Sequence, residues 1–508
     1  MTVPSHCILA IDQGTTNSKA ILVNTEGEIV SRGQAAVAIA HPKPGWVEQD
    51  PAQIWHSVTS AISECLLESK NAQIKAIGIS NQRESILAWD RKSGNALGPC
   101  ITWQCRRTKQ VCNQLKRQGF EPAVKQKTGL PIDPLFPGSK VAWLLNNIQP
   151  SQRSLKDICV GTVDSWLLWH LSGGQEHACD ASNASRTQLF NIQTGKWDRD
   201  LCDWFEVPMS VLPRVRPSNA LFGKTSSVVG LADGIPINGM LGDSHAALFG
   251  HGIHTPGSVK ATYGTGSSLM TLIDNFIQTN NGITTTIAWQ MDGKTTYALE
   301  GNIFVSASSL EPAAEWFGLQ TGPEEISRLA FSVDSSEGVY FVPALVGLGA
   351  PHWNSAARGL FTGMTFNTKR AHLARAVMES IVFQVLDVFG QMNELTAVPL
   401  TALLADGGPS QNDQLMGLQS NLLGLPVVQR DAPEISALGA AFMAGIGAGV
   451  WEDYRQTATL IANGRPQHPT VQELATTSKI KGWHQAVQRS LLFERDDTKD
   501  GPKLDSNT

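Results

Sequence analysis

One pattern constrains the fold more than any other. A strand, a tight Gly/Thr turn and a second strand occur once in each half of the chain. The first copy is "CILAIDQGTTNSKAILVN", turning around Asp12, Gly14, Thr15, Thr16 and Asn17; the second is "GSVKATYGTGSSLMTLI", turning at Gly264, Thr265 and Gly266. Short β-branched runs separated by Gly, Asn and Thr predict antiparallel hairpins. The pattern starts afresh after Gly250, and the intervening "GHGIHTPG" is rich in Gly and Pro. A chain of 508 residues also exceeds one ordinary domain. The reading is an α/β protein of two similar halves, 1–252 and 253–493, with a polar tail at 494–508 that predicts disorder.

Other segments fill in these halves. "PAQIWHSVTSAISECLLES" and "HLARAVMESIVFQVLDVFGQMNEL" carry apolar residues at helical spacing. "LTALLADGGPSQNDQLMGLQSNLLG" reads as strand, glycine turn, helix.

Composition narrows the function. A net charge of −5 gives no reason to expect nucleic acid or an anionic membrane as a partner. No apolar stretch approaches the roughly 20 residues that span a bilayer. The N-terminus has no basic region ahead of its apolar run and does not read as a signal peptide. Eight cysteines without a C-x-x-C pair predict no zinc site and a cytoplasmic chain with reduced thiols.

The stretch "GDSHAALFGHG" places Asp243, Ser244 and His245 in a row. Adjacent residues fan apart on a helix or strand, so this row is not a hydrolase triad. Two readings of Asp243 stay open locally: a helix N-cap, or a catalytic carboxylate at the mouth of a strand.

The Gly/Thr turns offer backbone N–H groups and hydroxyls with little bulk, which suits phosphate oxygens. Lys19 supplies a nearby cation, and Asp12 at the strand end can hold a hydrated Mg²⁺. The turns match neither the P-loop nor the dinucleotide fingerprint. With the third glycine turn, Gly407 and Gly408 in "DGGPSQN", they outline a nucleotide cleft.

From Ile8 to Trp483 the chain resembles the FGGY carbohydrate kinases, most of all their glycerol-phosphorylating members. The resemblance rests on "DQGTTNSKA", "PGWVEQDP", "GISNQRES", "ITWQCRRT", "TGLPIDP", "GTVDSWLLW", "NASRT", "GDSHAALFG", "YGTGS", "YALEG", "GLGAPHW", "LADGGPSQN" and "ALGAAFMAG". One family signature matches "GLFTGMTFNTKRAHLARAVMES"; the other fits "FPGSKVAWLLNN" except for Leu135 at its leading position. The resemblance implies two actin-like, ribonuclease-H-like domains with an interdomain nucleotide and substrate cleft. It implies ATP- and Mg²⁺-dependent phosphorylation of a small polyol or sugar, with glycerol as the leading substrate. It also implies a homo-oligomer, a dimer or tetramer.

Residue by residue, Asp243 matches the family's catalytic base and, through water, a metal contact beside Asp12. Arg83 and Glu84 match the pair that binds substrate hydroxyls, and Trp103 the aromatic on the carbon backbone. Three substrate contacts are changed: Leu135 for a tyrosine, Ser244 for a glutamine, Ser268 for a phenylalanine. They predict a roomier, differently polar pocket, and an alternative acceptor such as a tetritol, pentitol or ketopentose. His245 could bond an extra hydroxyl but reads first as a helix-packing histidine. On the nucleotide side Thr15, Thr16, Thr265, Gly408 and Asn412 match; Lys19 replaces an arginine, and Ala307 and Glu311 replace a glycine and a glutamine. A third reading, a non-catalytic nucleotide or sugar sensor, is opposed by the retained Asp12, Arg83, Glu84 and Asp243.

Overall fold

The computed structural model describes residues 6–492 except 68, 70–71, 149–153, 281, 321, 431–433 and 471–472. The tail at 494–508, expected to be disordered, lies outside the described residues.

Both hairpins form. His6–Gln13 pairs antiparallel with Asn17–Asn24 across the first turn, with Asp12 opposite Lys19. They belong to a six-stranded sheet ordered Gly223–Lys224, Pro236–Gly242, Gln73–Asn81, His6–Gln13, Asn17–Asn24, Ile29–Ala36. Gln73–Asn81 runs parallel to His6–Gln13, and Pro236–Gly242 parallel to Gln73–Asn81. These central strands are apolar on both faces, as strands covered by helices must be. Leu9 and Ile11 join Val58 and Ile62 of helix Pro51–Leu67 on one face. The alternate residues Ile8 and Ala10 join Ala440 and Met443 of helix Ile435–Gly447 on the other.

The second half repeats the plan. Ser258–Tyr263 pairs antiparallel with Ser267–Ile273 and parallel with Ala402–Asp406. The seven-stranded sheet is ordered Thr284–Met291, Lys294–Ile303, Ser267–Ile273, Ser258–Tyr263, Ala402–Asp406, Val427–Gln429, Arg465–Gln467. Helix Arg370–Leu395 buries Val377, Ile381, Val385 and Val388 against it. The architecture is thus the two-domain, ribonuclease-H-like α/β fold expected.

Helix Ile435–Gly447 departs from sequence order by packing on the first-half sheet. It crosses helix Asp243–Gly250 so closely that a Cβ on Gly439 would lie 1.9 Å from the Ala246 carbonyl oxygen. A four-stranded sheet of Glu48–Gln49, Cys100–Ile101, Ile86–Asp90 and Ile158–Thr162 adds a further layer to the first half. Among the described residues, no helix is long and apolar enough to cross a membrane. All eight cysteines are buried, and none forms a disulfide among the described residues.

Candidate active site

Strand Pro236–Gly242 delivers Asp243 to the sheet's end, where helix Asp243–Gly250 begins. The cap residue is Gly242, so the N-cap reading of Asp243 is corrected: Asp243 is the first helical residue. Its Oδ1 accepts from the next backbone N–H, Ser244, at 2.5 Å. The side chain is 38% exposed, the most open acid of its cluster.

Arg83 and Glu84 follow strand Gln73–Asn81 and are both buried. Neither behaves as a surface salt pair; each is engaged elsewhere. Arg83 Nε donates to Asp243 Oδ1 at 2.9 Å, Nη1 to Glu300 Oε1 at 2.5 Å and Nη2 to Ser244 Oγ at 3.2 Å. Burial works against its charge, but Glu300, Glu84 and Asp243 together hold the guanidinium firmly protonated. Glu84 adopts a left-handed backbone, φ 58°, uncommon for a non-glycine residue. Its Oε1 accepts from Arg186 Nε at 2.7 Å.

The three changed positions sit on two walls. Ser244 and Ser268 bring their hydroxyls within 3.4 Å of each other, one from each half. Leu135 instead lies in an apolar corner with Leu130 and Phe136, against Trp103 and Trp353. Trp103 Nε1 donates to Thr15 Oγ1 at 3.0 Å. Behind this corner, fully buried Lys140 donates to the carbonyls of Thr102 (2.8 Å) and Leu135 (2.9 Å). Burial pulls its amine down to about 8.

Of the turns expected to take phosphate, the first closes by a Gly14 N–H to Asn17 carbonyl bond of 2.9 Å, leaving Thr16 and Asn17 exposed. The second closes from Gly264 N–H to the Gly266 carbonyl, also 2.9 Å, and exposes Thr265. Ala307 N–H is stitched to this turn through the Gly264 carbonyl at 3.1 Å. Gly407, φ 91°, lies flush on the same strand; a Cβ there would sit 2.0 Å from the Tyr263 carbonyl oxygen. Gly408 is exposed beside it. Asn412 caps helix Asp413–Leu423 through Leu415 N–H (3.0 Å) and donates to Ser327 Oγ at 2.8 Å. Glu311 is exposed on helix Leu310–Trp316.

Asp12 accepts from Ser80 Oγ at 2.7 Å. Burial pushes its carboxyl up to about 6; the Ser80 bond opposes this and the negative charge of Asp243 adds to it. Two acids that repel in this way suit a hard divalent cation with oxygen ligands. Among the described residues, no group of three or more His, Cys, Asp or Glu is placed to hold a metal. Asp12 and Asp243 offer carboxylate oxygens of the kind such a cation takes.

The model of the FGGY family of carbohydrate kinases, N-terminal domain, matches residues 7–250, and that of its C-terminal domain matches 259–448. The chain belongs to the FGGY carbohydrate kinases. A glycerol kinase of Bdellovibrio bacteriovorus is 43% identical, covering 96% of this chain and 99% of its own. An apulose kinase of Pectobacterium atrosepticum is 44% identical, covering 96% and 98%. Among solved structures, Plasmodium falciparum glycerol kinase with ADP superposes with a TM-score of 0.90 at 31% identity, covering 96% and 99%. As a carbohydrate kinase, the protein is a phosphotransferase that uses ATP and acts on a hydroxyl group.

This FGGY kinase carries charged site neighbours that sequence reasoning did not single out. Glu300 is wholly buried between Arg83 and Arg186, and Arg186 is buried beside Glu84. Both stand inside recognised motifs, "YALEG" and "NASRT", which was the available signal. Lys140 likewise stands in "FPGSKVAWLLNN". His245 is fully buried, with Nε2 3.4 Å from Thr286 Oγ1. Burial, with the Arg83 charge, pulls its imidazole well below the usual range, so it is a neutral packing residue.

Proposed function

We propose that this kinase transfers the γ-phosphoryl group of ATP to a primary hydroxyl of a small polyol of the glycerol kind, with Asp243 as general base. The observation that carries this is the Arg83–Asp243 bond of 2.9 Å, which holds a part-exposed carboxylate at the strand mouth. As the hydroxyl oxygen attacks phosphorus, Asp243 accepts its proton and ADP leaves. A positioned carboxylate suffices as base, because phosphoryl transfer depends mostly on alignment and charge neutralisation. Arg83 and Glu84 hold the acceptor's hydroxyls and Trp103 packs on its carbons. The turns at Gly14–Asn17, Gly264–Gly266 and Gly407–Gly408, with Lys19, Ala307, Glu311 and Asn412, take the nucleotide.

Asp12, and Asp243 through water, would hold Mg²⁺, which neutralises phosphate charge when bound. The cleft closes between halves 1–252 and 253–493 and excludes water. Eight reduced thiols support a cytoplasmic site of action. A homo-dimer or tetramer follows the family and is tested by sedimentation.

A second reading is favoured by the Ser244–Ser268 pair. Two small hydroxyls beside Arg83 leave room and hydrogen-bonding capacity for an extra hydroxyl or carbonyl, as in a tetritol, pentitol or ketopentose. The 44% identity to an apulose kinase points the same way. A coupled ADP-release screen over glycerol, tetritols, pentitols and ketoses decides between the two. Absence of ADP release with the whole panel would sink both and leave a nucleotide or sugar sensor.

A further inference from the structure

Five charged side chains form an unbroken line through the site. Asp243 Oδ1 meets Arg83 Nε at 2.9 Å, and Arg83 Nη1 meets Glu300 Oε1 at 2.5 Å. Glu300 Oε2 meets Arg186 Nη1 at 2.6 Å, and Arg186 Nε meets Glu84 Oε1 at 2.7 Å. The three interior groups are dry: the side chains of Arg83, Glu300 and Arg186 are 8%, 0% and 1% exposed. The arginines come from loops of the first half. Glu300 comes from strand Lys294–Ile303, which is paired on both sides in the second-half sheet.

The links differ in kind. Arg83 and Glu300 are hydrogen-bonded, whereas Arg186 Nη1 approaches Glu300 Oε2 without hydrogen-bond alignment. The second link is therefore coulombic. Burial disfavours the Glu300 anion, but Arg186 and Arg83 outweigh it and hold the carboxyl below its usual range.

Stability alone accounts poorly for this row, since a buried ion pair does little better than well-packed apolar side chains. The two ends of the row point to another role: one is the proposed base, the other the proposed acceptor-holding acid.

We infer that Glu300 is a positioning residue: through Arg83 and Arg186 it fixes the base Asp243 relative to Glu84, acting from the opposite half of the molecule. This rests on the roles proposed for Asp243 and Glu84. Without the Glu300 carboxylate, two buried guanidinium groups lose the anion between them. Each then turns to its remaining acid, and both acids shift relative to the acceptor.

The test compares Glu300→Gln and Glu300→Asp in the full chain. The acceptor probe is glycerol, erythritol or D-xylulose, whichever the wild type turns over fastest. Glu300→Gln should bind ADP within about twofold of wild type and lose about 10²-fold in acceptor kcat/KM, the scale of a misplaced reacting group. Glu300→Asp should recover part of that loss. Amide exchange should quicken in Glu300→Gln in both Arg83–Ser85 and Arg186–Gln188. A merely structural residue would lower the melting temperature and leave acceptor KM and these two segments unchanged.

Acceptor kcat/KM within threefold of wild type, or unchanged exchange in both segments, overturns the inference. If Glu300→Gln does not fold, Glu300→Asp decides: wild-type ADP binding with a raised acceptor KM supports the inference, and a wild-type KM overturns it. The exchange measurement needs no turnover, so it separates failure of this inference from failure of the base assignment, which Asp243→Asn tests.

Discussion

Trp103 Nε1 donates to Thr15 Oγ1 at 3.0 Å, tying the aromatic beside the apolar Leu135 corner to the first Gly/Thr turn. If that turn cradles phosphate and the indole packs on the acceptor, one bond joins the two binding events. Trp103→Phe keeps an apolar ring and deletes the donor. The lost bond is worth about 1 kcal/mol, so KM should rise about fivefold for acceptor and for ATP. Steady-state kinetics with each substrate varied at saturation of the other checks this. A change confined to the acceptor would mean that the bond does not couple the two sites.

Asp243→Asn keeps the shape of the base and removes its ability to take a proton. Turnover should fall by about 10²–10⁴-fold, the usual contribution of a positioned base. ADP binding, measured by titration calorimetry, should stay near wild type. Substantial residual turnover in a properly folded Asp243→Asn would remove Asp243 from the role of base.

The Asp12 carboxyl, pushed up to about 6 by burial, gives a pH dependence with a definite sign. Only the carboxylate can attract Mg²⁺. Above pH 6 the acid is ionised and apparent Mg²⁺ affinity should be flat. Below it a proton competes, and affinity should fall toward a limit of about tenfold per pH unit. Activity titrated with Mg²⁺ between pH 5 and 8 gives the profile. Asp12→Asn should lower apparent Mg²⁺ affinity, raising the Mg²⁺ needed for half-activity, and flatten its pH profile; a wild-type profile in that variant would exclude Asp12 from the metal site.

What could be read from the sequence was local. The hairpins at Asp12–Thr16 and Gly264–Ser267 follow from strand periodicity and turn chemistry within a few residues, and both form. Asp243 stands in a motif the sequence shows, "GDSHAALFG", and its place at the strand-to-helix turn is one residue past the cap. What could not be read was long-range. Glu300 meets Arg83 across 217 residues of chain, and a buried charge looks like a surface charge until its partner is placed. Helix Ile435–Gly447 likewise gives no local sign that it belongs against the first-half sheet.

The three changed positions gain most from the structure, because they do not act as one wall. Ser244 and Ser268 share a polar notch with Arg83, while Leu135 belongs to the Trp103 and Trp353 corner. Filling them separately should have separable effects. Ser268→Phe fills the notch and should exclude acceptors longer than glycerol, through clash and the loss of a hydroxyl partner. Leu135→Tyr adds a hydroxyl in the apolar corner and should raise affinity for glycerol only if that hydroxyl finds the acceptor. Together they should shift relative kcat/KM toward glycerol by about 10-fold or more, the scale of one mismatched contact in a binding pocket. Competition between glycerol and D-xylulose for ATP, followed by phosphorus NMR of the two products, reads the ratio directly. An unchanged ratio in the double variant would mean that acceptor choice is set elsewhere in the pocket.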